Sequence, residues 1–397
     1  MKYYPRQIEK TIKKYIKIFP AIAIIGPRQS GKSTTLKEIF GKQYKYVSFD
    51  DPLTVDFFNQ DPIGFMNKYS NKVIFDEVQK VPAVFNYLKI KIDEDRHNYG
   101  KFILTGSSQF SLIKTITETL AGRIGVLSLL PFQMDELPEQ YRHLQILKGS
   151  YPELMHLGYK NTKEWYGSYI ANYIERDVRN FSNIGNLNDF QRFIRLLAAR
   201  VAQELNISSL SKEMGITVKT LQNWISILEA SYIIFLLPSY HKNLGKRIVK
   251  RPKLYFYDTG LICYFTAITK EEVLRNGPLD GAIFENFIVA ELKKIIVHTG
   301  QLSQMYYFRS NLGLEVDLIL ENLEENKIKL LEIKSTETVR IEMFKNLLKV
   351  SDLIKSKNIN NYLIFRGKTE INYKENCNCL NFNQIGQLLQ LMRQPAA

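Results

Sequence analysis

The octapeptide Gly26-Pro27-Arg28-Gln29-Ser30-Gly31-Lys32-Ser33, followed by Thr34, gathers glycines, an ammonium and adjacent hydroxyls into one short stretch. Glycines let a turn close around a ligand with its amides pointing inward. A helix starting at the same place adds the positive end of its dipole, and both features suit a polyanion. In the spacing G-x-x-x-x-G-K-S, Lys32 would reach the β- and γ-phosphates of a nucleoside triphosphate, and the Ser33 hydroxyl would help to hold Mg²⁺. A second pair, Asp76-Glu77, closes the apolar run Val73-Ile74-Phe75. Asp76 there suits the Mg²⁺ shell, and Glu77 suits orienting or deprotonating an attacking water. These residues predict binding and hydrolysis of a triphosphate, with ATP and Mg²⁺ as the expected cofactors. No element specifying adenine over guanine is visible.

Two further groups are candidates for the same chemistry. The run FILTGSS ends in hydroxyls, and Thr105, Ser107 or Ser108 could sense a γ-phosphate, with Ser107 preferred. Arg123, in LAGRIG, is a candidate arginine finger or sensor, since a guanidinium stabilises charge on a transferring phosphoryl group. A plain surface arginine is an equal reading. Arg176 and Arg179 are weaker options for the same role.

The elements that must position these residues follow from the apolar pattern. Strands are predicted over 22–25, 46–49, 72–77, 101–104 and 123–130, with a helix from Thr34 to Phe40 and a turn at Asp50-Asp51-Pro52. Strands alternating with helices indicate a parallel sheet, which binds ligands beyond the carboxyl ends of its strands. The pattern then turns helical from about Glu139 to Phe181 and again from Phe190 to Glu229. Strands at 232–237 and 254–257 flank a basic turn. From about Gly281 the order is helix, strand, strand, strand, helix, strand.

The ordered segments GPRQSGKS, YVSFDDP, VIFDEVQ, FILTGSS, LAGRIG, LLPFQMDEL, GSYPEL, KLYFYDTGL, FENFIVAEL, EVDLIL and LEIKS resemble a large group of prokaryotic AAA+ ATPases that end in a domain of unknown function with a nuclease-like core. The resemblance covers nearly the whole chain and implies ATP binding and hydrolysis. The expected fold is α/β multidomain. It comprises a P-loop AAA+ core with a parallel sheet and helices (1–135), a helical lid (136–185), a winged helix-turn-helix domain (186–268) and an α/β PD-(D/E)XK nuclease-like domain (269–397).

Within the third of these, Ser208 to Glu229 reads as two short helices around Gly215, with Thr217 as N-cap. Val218, Leu221, Ile225 and Leu228 are expected to face a core, leaving Lys219, Thr220, Gln222 and Asn223 to meet bases or phosphates. The following turn carries Lys242, Lys246, Arg247, Lys250, Arg251 and Lys253 and resembles a wing able to touch a DNA backbone. A rigid spacer or protein-contact surface is the competing reading.

In the last region Asp317 lies in EVDLIL, and Glu332 and Lys334 in LLEIKS. Alternation along a strand puts Glu332 and Lys334 on one face, and an adjacent strand can bring Asp317 beside them. Glu285 falls on the apolar stripe of a helix with Ile288, Val289, Leu292 and Ile296, where a carboxylate needs a metal, a lysine or a hydrogen bond. Together these resemble the PD-(D/E)XK core. That resemblance implies Glu285, Asp317 and Glu332 as ligands of Mg²⁺ or Mn²⁺, and Lys334 as the group that positions the nucleophile. The same constellation can persist as an ion-pair network in a domain that does not cut.

Composition bounds the partners. The net charge of +14, from 54 Lys and Arg against 40 Asp and Glu, favours a polyanion, with DNA ahead of a membrane surface. A solvated basic surface would give the same number. Cys263, Cys377 and Cys379 are too few for a disulfide framework and fit a reducing cytoplasm. No apolar run approaches a membrane span. The sequence therefore predicts a cytoplasmic ATPase, able to oligomerise, whose hydrolysis is coupled to DNA binding or processing. The alternative is a nucleotide-dependent switch that engages protein partners through an inert nuclease-like domain.

Overall fold

The computed structural model describes residues 2–106, 116, 118–174, 187–241, 251–354, 358–368, 372–374 and 376–390. Five short strands build the first sheet: β1 (Ala21–Ile25), β2 (Lys45–Ser48), β3 (Val73–Asp76), β4 (Phe102–Thr105) and β5 (Ile124–Ser128). Their order is β2-β3-β4-β1-β5 and every pairing is parallel. β1, β3 and β4 are buried along their whole length, as strands covered on both faces must be. The helix Lys32–Phe40 follows β1 directly. At Asp50-Asp51-Pro52 the expected turn is a helix start. The Asp51 carboxylate accepts the Leu53 N–H at 3.1 Å, and Pro52 opens a helix running to Gln60.

The middle of the chain is helical, with Thr162–Tyr169, Leu187–Ala199, Ile207–Met214 and Val218–Ala230 as its longer pieces. It closes with an antiparallel hairpin, β6 (Ile234–Leu237) and β7 (Lys253–Phe256). The last part opens on the long helix Asp280–Thr299 and adds a sheet of six strands: β8 (Ser303–Arg309), β9 (Glu315–Asn322), β10 (Lys327–Lys334), β11 (Ile359–Phe365), β12 (Asn372–Lys374) and β13 (Cys377–Asn381). Their order is β12-β13-β11-β10-β9-β8, antiparallel through β8-β9-β10 and parallel through β10-β11-β13. β12 and β13 go beyond the sequence expectation. Polar residues interrupt the apolar pattern there, and the pairing partner is needed to define the strand. Cys377 and Cys379 are buried on β13, and none of the three cysteines forms a disulfide.

The long helix joins the parts. One apolar cluster contains Ala21, Ala23 and Leu104 of the first sheet together with Phe287, Ile288 and Leu292 of that helix. Its polar residues Glu291, Lys294 and His298 are buried as well and find partners across the junction. Glu291 accepts the Met134 N–H at 2.7 Å, and Lys294 donates to the Phe132 carbonyl at 3.1 Å. His298 accepts the Leu130 N–H on Nε2 at 2.9 Å, and its Nδ1 faces the Gln133 side-chain amide. Burial, then Arg6 and Lys294, hold the His298 pKa well below its ordinary value. Among the described residues no helix is long and apolar enough to cross a membrane.

Candidate functional site

The loop Gly26–Ser33 lies at the carboxyl end of β1, where a parallel sheet presents its ligand site. Gly26 has φ 145°, and a Cβ there would stand 2.2 Å from the Leu129 carbonyl oxygen, so the loop can pass β5 only as glycine. Gly31, at φ 92°, turns the chain into the helix that begins at Lys32. The result is a cavity of about 270 Å³ lined by Arg28, Gln29, Gly31, Lys32, Ser33, Thr34 and Glu77. Pro27 and Ser30 complete the loop behind it. The Ser30 hydroxyl is buried without a partner, while its carbonyl accepts from Arg6 at 2.9 Å.

Lys32 is buried, and its Nζ is folded back to donate to the carbonyls of Gly26 at 3.0 Å and Pro27 at 2.8 Å. Burial pushes this ammonium down to about 8, against the pull of Glu77 and Asp76. Asp76 ends β3 and is 6% exposed. Its Oδ1 accepts from the Ser33 hydroxyl at 3.0 Å and from Thr105, and its Oδ2 accepts from Tyr46. Glu77 follows in the left-handed region at φ 55°, with its carboxylate held by the Gln79 amide. One hydroxyl and one carboxylate side by side fit a hard cation whose remaining ligands are water and phosphate oxygens.

Behind the loop stands a residue the sequence did not flag. Arg6 is buried and donates to the carbonyls of Ser30 and Leu130, the latter at 2.7 Å, and to Glu136 Oε2 at 3.0 Å, with its guanidinium lying over the Phe132 ring. It therefore fixes the back of the phosphate loop to the exit of β5.

The residues from Gly26 to Thr34, with Asp76 and Glu77, come together as expected. Of the three hydroxyl candidates Thr105 touches Asp76; Ser107 and Ser108 lie outside the described residues, as do Arg176 and Arg179. Arg123 is not brought to the site. It precedes β5, whose Ile124 pairs with Ala21 at the amino end of β1, while the loop leaves the carboxyl end. Its guanidinium is engaged by Asp93, with Nε at 2.7 Å and Nη2 at 3.0 Å.

A second cluster forms in the last sheet. Asp317 lies on β9, one residue beyond the Leu318–Leu331 pairing, and accepts the Ile333 N–H at 2.8 Å. Lys334 Nζ stands 2.6 Å from Glu332 and 3.9 Å from Asp317. Glu285, on the long helix, accepts from Lys253 Nζ at 3.1 Å and from the Tyr255 hydroxyl at 2.6 Å, and Lys253 also meets Glu315 at 2.7 Å. Burial, then Asp317, raise the pKa values of both Glu285 and Glu332. The expected trio of metal ligands, Glu285, Asp317 and Glu332, is thus met by two lysine ammoniums. Among the described residues no group of three or more His, Cys, Asp or Glu side chains is placed to hold a metal ion. Lys253 is correspondingly no wing residue. It is 2% exposed, whereas Arg251 is exposed and residues 242–250 lie outside the described part.

The helix pair around Gly215 is capped as expected, with the Thr217 hydroxyl accepting the Thr220 N–H at 3.2 Å. Leu221, Trp224, Ile225, Ile227 and Leu228 are buried on the second helix, and Lys219, Gln222, Asn223 and Ser226 are exposed. Val218, expected in the core, is exposed at the first position of the helix.

The sheet order, the phosphate loop and the Asp76-Glu77 pair define the first part of the chain as a P-loop ATPase of the AAA type. The comparisons with known proteins agree, since residues 19–138 match the family described as AAA domain. Residues 139–272 and 280–385 match two families, each described as a domain of unknown function (DUF8612 and DUF4143). Two curated relatives are the uncharacterized proteins Rv2008c of Mycobacterium tuberculosis and Mb2031c of Mycobacterium bovis. Each is 26% identical over 304 residues, covering 76% of this chain and 68% of the relative. Among solved structures, the Walker-type ATPase PABY2304 of Pyrococcus abyssi is similar at 16% identity and TM-score 0.46, covering 66% of this chain and 96% of its own. AMPPCP-bound DnaA from Aquifex aeolicus is similar at 14% identity and TM-score 0.30, covering 56% and 91%.

Proposed function

We propose that this ATPase hydrolyses ATP with Mg²⁺ and couples its nucleotide state to DNA binding through the helix Val218–Ala230. Ser33 and Asp76 would hold the ion, which supplies charge neutralisation at the β- and γ-phosphates. Lys32 would turn from its own loop onto the phosphates, and Glu77 would take the proton of the attacking water. The observation that carries the DNA reading is the second helix itself. Its core side is anchored by Leu221, Trp224, Ile225 and Leu228, and its outer side offers Lys219, Gln222, Asn223 and Ser226 to solvent. Polar side chains on an exposed helix face suit base edges and phosphates, and the net charge of +14 favours the approach of a polyanion.

The test is fluorescence anisotropy with labelled duplex DNA across a salt series, for wild type and for Lys219→Glu with Asn223→Ala. Binding that weakens with salt, and is weakened at least tenfold by the double variant, is expected. Salt-independent or unaltered binding overturns the reading. Ion pairing of Glu285, Asp317 and Glu332 with Lys253 and Lys334 favours the second reading, a switch engaging protein partners. Absence of any DNA binding in the same series would select it.

A further inference from the structure

We propose that Tyr46 is a positioning residue of the ATPase site, holding the Asp76 carboxylate so that one chosen oxygen is left for the divalent ion. The two oxygens of Asp76 are treated unequally. Oδ1 accepts from Ser33 and Thr105, the two hydroxyls at the loop and at the tip of β4. Oδ2 accepts from the Tyr46 hydroxyl. When Ser33 turns to an incoming ion, Oδ1 loses one of its two donors and keeps the rotatable Thr105 hydroxyl, whereas Oδ2 keeps its bond to tyrosine. A carboxylate end group otherwise rotates over a broad range, so a fixed second oxygen is what gives the first a defined direction.

Tyr46 is itself held firmly. Its backbone lies in the β2–β3 ladder opposite Ile74, and Ser48, two residues on, pairs with Asp76. Its ring lies beneath the Lys37 ammonium, 3.9 Å from the centroid, and Lys37 belongs to the helix that begins at the phosphate loop. Ring, carboxylate and loop helix are thus linked through Tyr46, and the Asp76 donor that belongs to the phosphate loop is Ser33.

The proposal rests on Asp76 serving the ion, and the experiment separates the two. Binding of a fluorescent ATP analogue is titrated with Mg²⁺ and in EDTA, and Mg²⁺ half-saturation of hydrolysis is measured, in wild type, Tyr46→Phe, Asp76→Asn and Tyr44→Phe. Tyr44 donates to the Gly100 carbonyl, away from the site, and controls for loss of a structural hydroxyl. Tyr46→Phe is expected to raise Mg²⁺ half-saturation about tenfold, the order supplied by one hydrogen bond to a charged group. It should leave binding in EDTA unchanged, and Tyr44→Phe should move neither quantity. A Mg²⁺ requirement in Tyr46→Phe within twofold of wild type overturns the proposal, as does an equal change in Tyr44→Phe or an equal loss of binding in EDTA. If Asp76→Asn also leaves the Mg²⁺ requirement intact, the assignment of Asp76 fails first.

Discussion

Replacing Arg6 with methionine tests how the phosphate loop is held from behind. The guanidinium supplies donors to the Ser30 carbonyl at 2.9 Å, the Leu130 carbonyl at 2.7 Å and the Glu136 carboxylate at 3.0 Å, all buried. Methionine fills much of the volume and supplies none of these donors. Glu136, whose side chain is 1% exposed, would keep only the N–H groups of Gln7 and Gln133 and no positive partner. Removing one member of a buried pair costs about 3–5 kcal/mol, because the other charge stays desolvated. With a urea slope of about 2 kcal/mol per molar, the unfolding midpoint of the ATPase part should fall by about 2 M. The assay is urea unfolding followed by far-UV circular dichroism, with binding of a fluorescent ATP analogue measured in parallel. Because a buried pair removed as a whole is close to neutral, Arg6→Met with Glu136→Gln should recover at least half of the loss. A single variant that costs less than about 1 kcal/mol, the value of an exposed pair, would refute the argument. So would a double variant no better than the single.

Three other consequences follow from charges held out of water. Burial holds the free Lys32 ammonium down at about 8, and a bound triphosphate would favour its protonated form. As pH rises from 7 to 9 the free loop loses that proton and binding must take it up again, so affinity should fall about tenfold. Isothermal titration calorimetry across that range checks this, and Lys32→Ala should show a flat profile. Lys253→Met leaves Glu285 and Glu315 without their shared ammonium, and should lower stability by about 3 kcal/mol in urea unfolding. Tyr255→Phe, which removes one hydrogen bond to the same carboxylate, should cost about half as much.

The phosphate site was legible because its signals are local. A buried strand, two glycines and a helix start within a dozen residues leave few other structures open, and Asp76-Glu77 closes a strand that must lie nearby. Arg6 was not legible. In MKYYPRQ it looks like one more exposed cation, and its partners lie 24, 124 and 130 residues further on. Lys253 misled for the same reason. A run of basic residues suggested a wing, while the residue at the start of β7 points inward to carboxylates supplied by a later helix and strand. Glu285 was correctly marked as needing a partner, and the choice among metal, lysine and hydrogen bond required the fold. Arg123 sits near a glycine turn like a finger, but strand direction puts it at the wrong end of the sheet.

Glu77 is proposed to activate water on a triphosphate held by the Gly26–Ser33 loop. Single-turnover hydrolysis of ATP, measured beside equilibrium binding for wild type and Glu77→Gln, tests it most directly. Binding within about threefold of wild type and hydrolysis slower by at least 100-fold, the usual contribution of a positioned base, are expected. Hydrolysis at the wild-type rate in Glu77→Gln would contradict it.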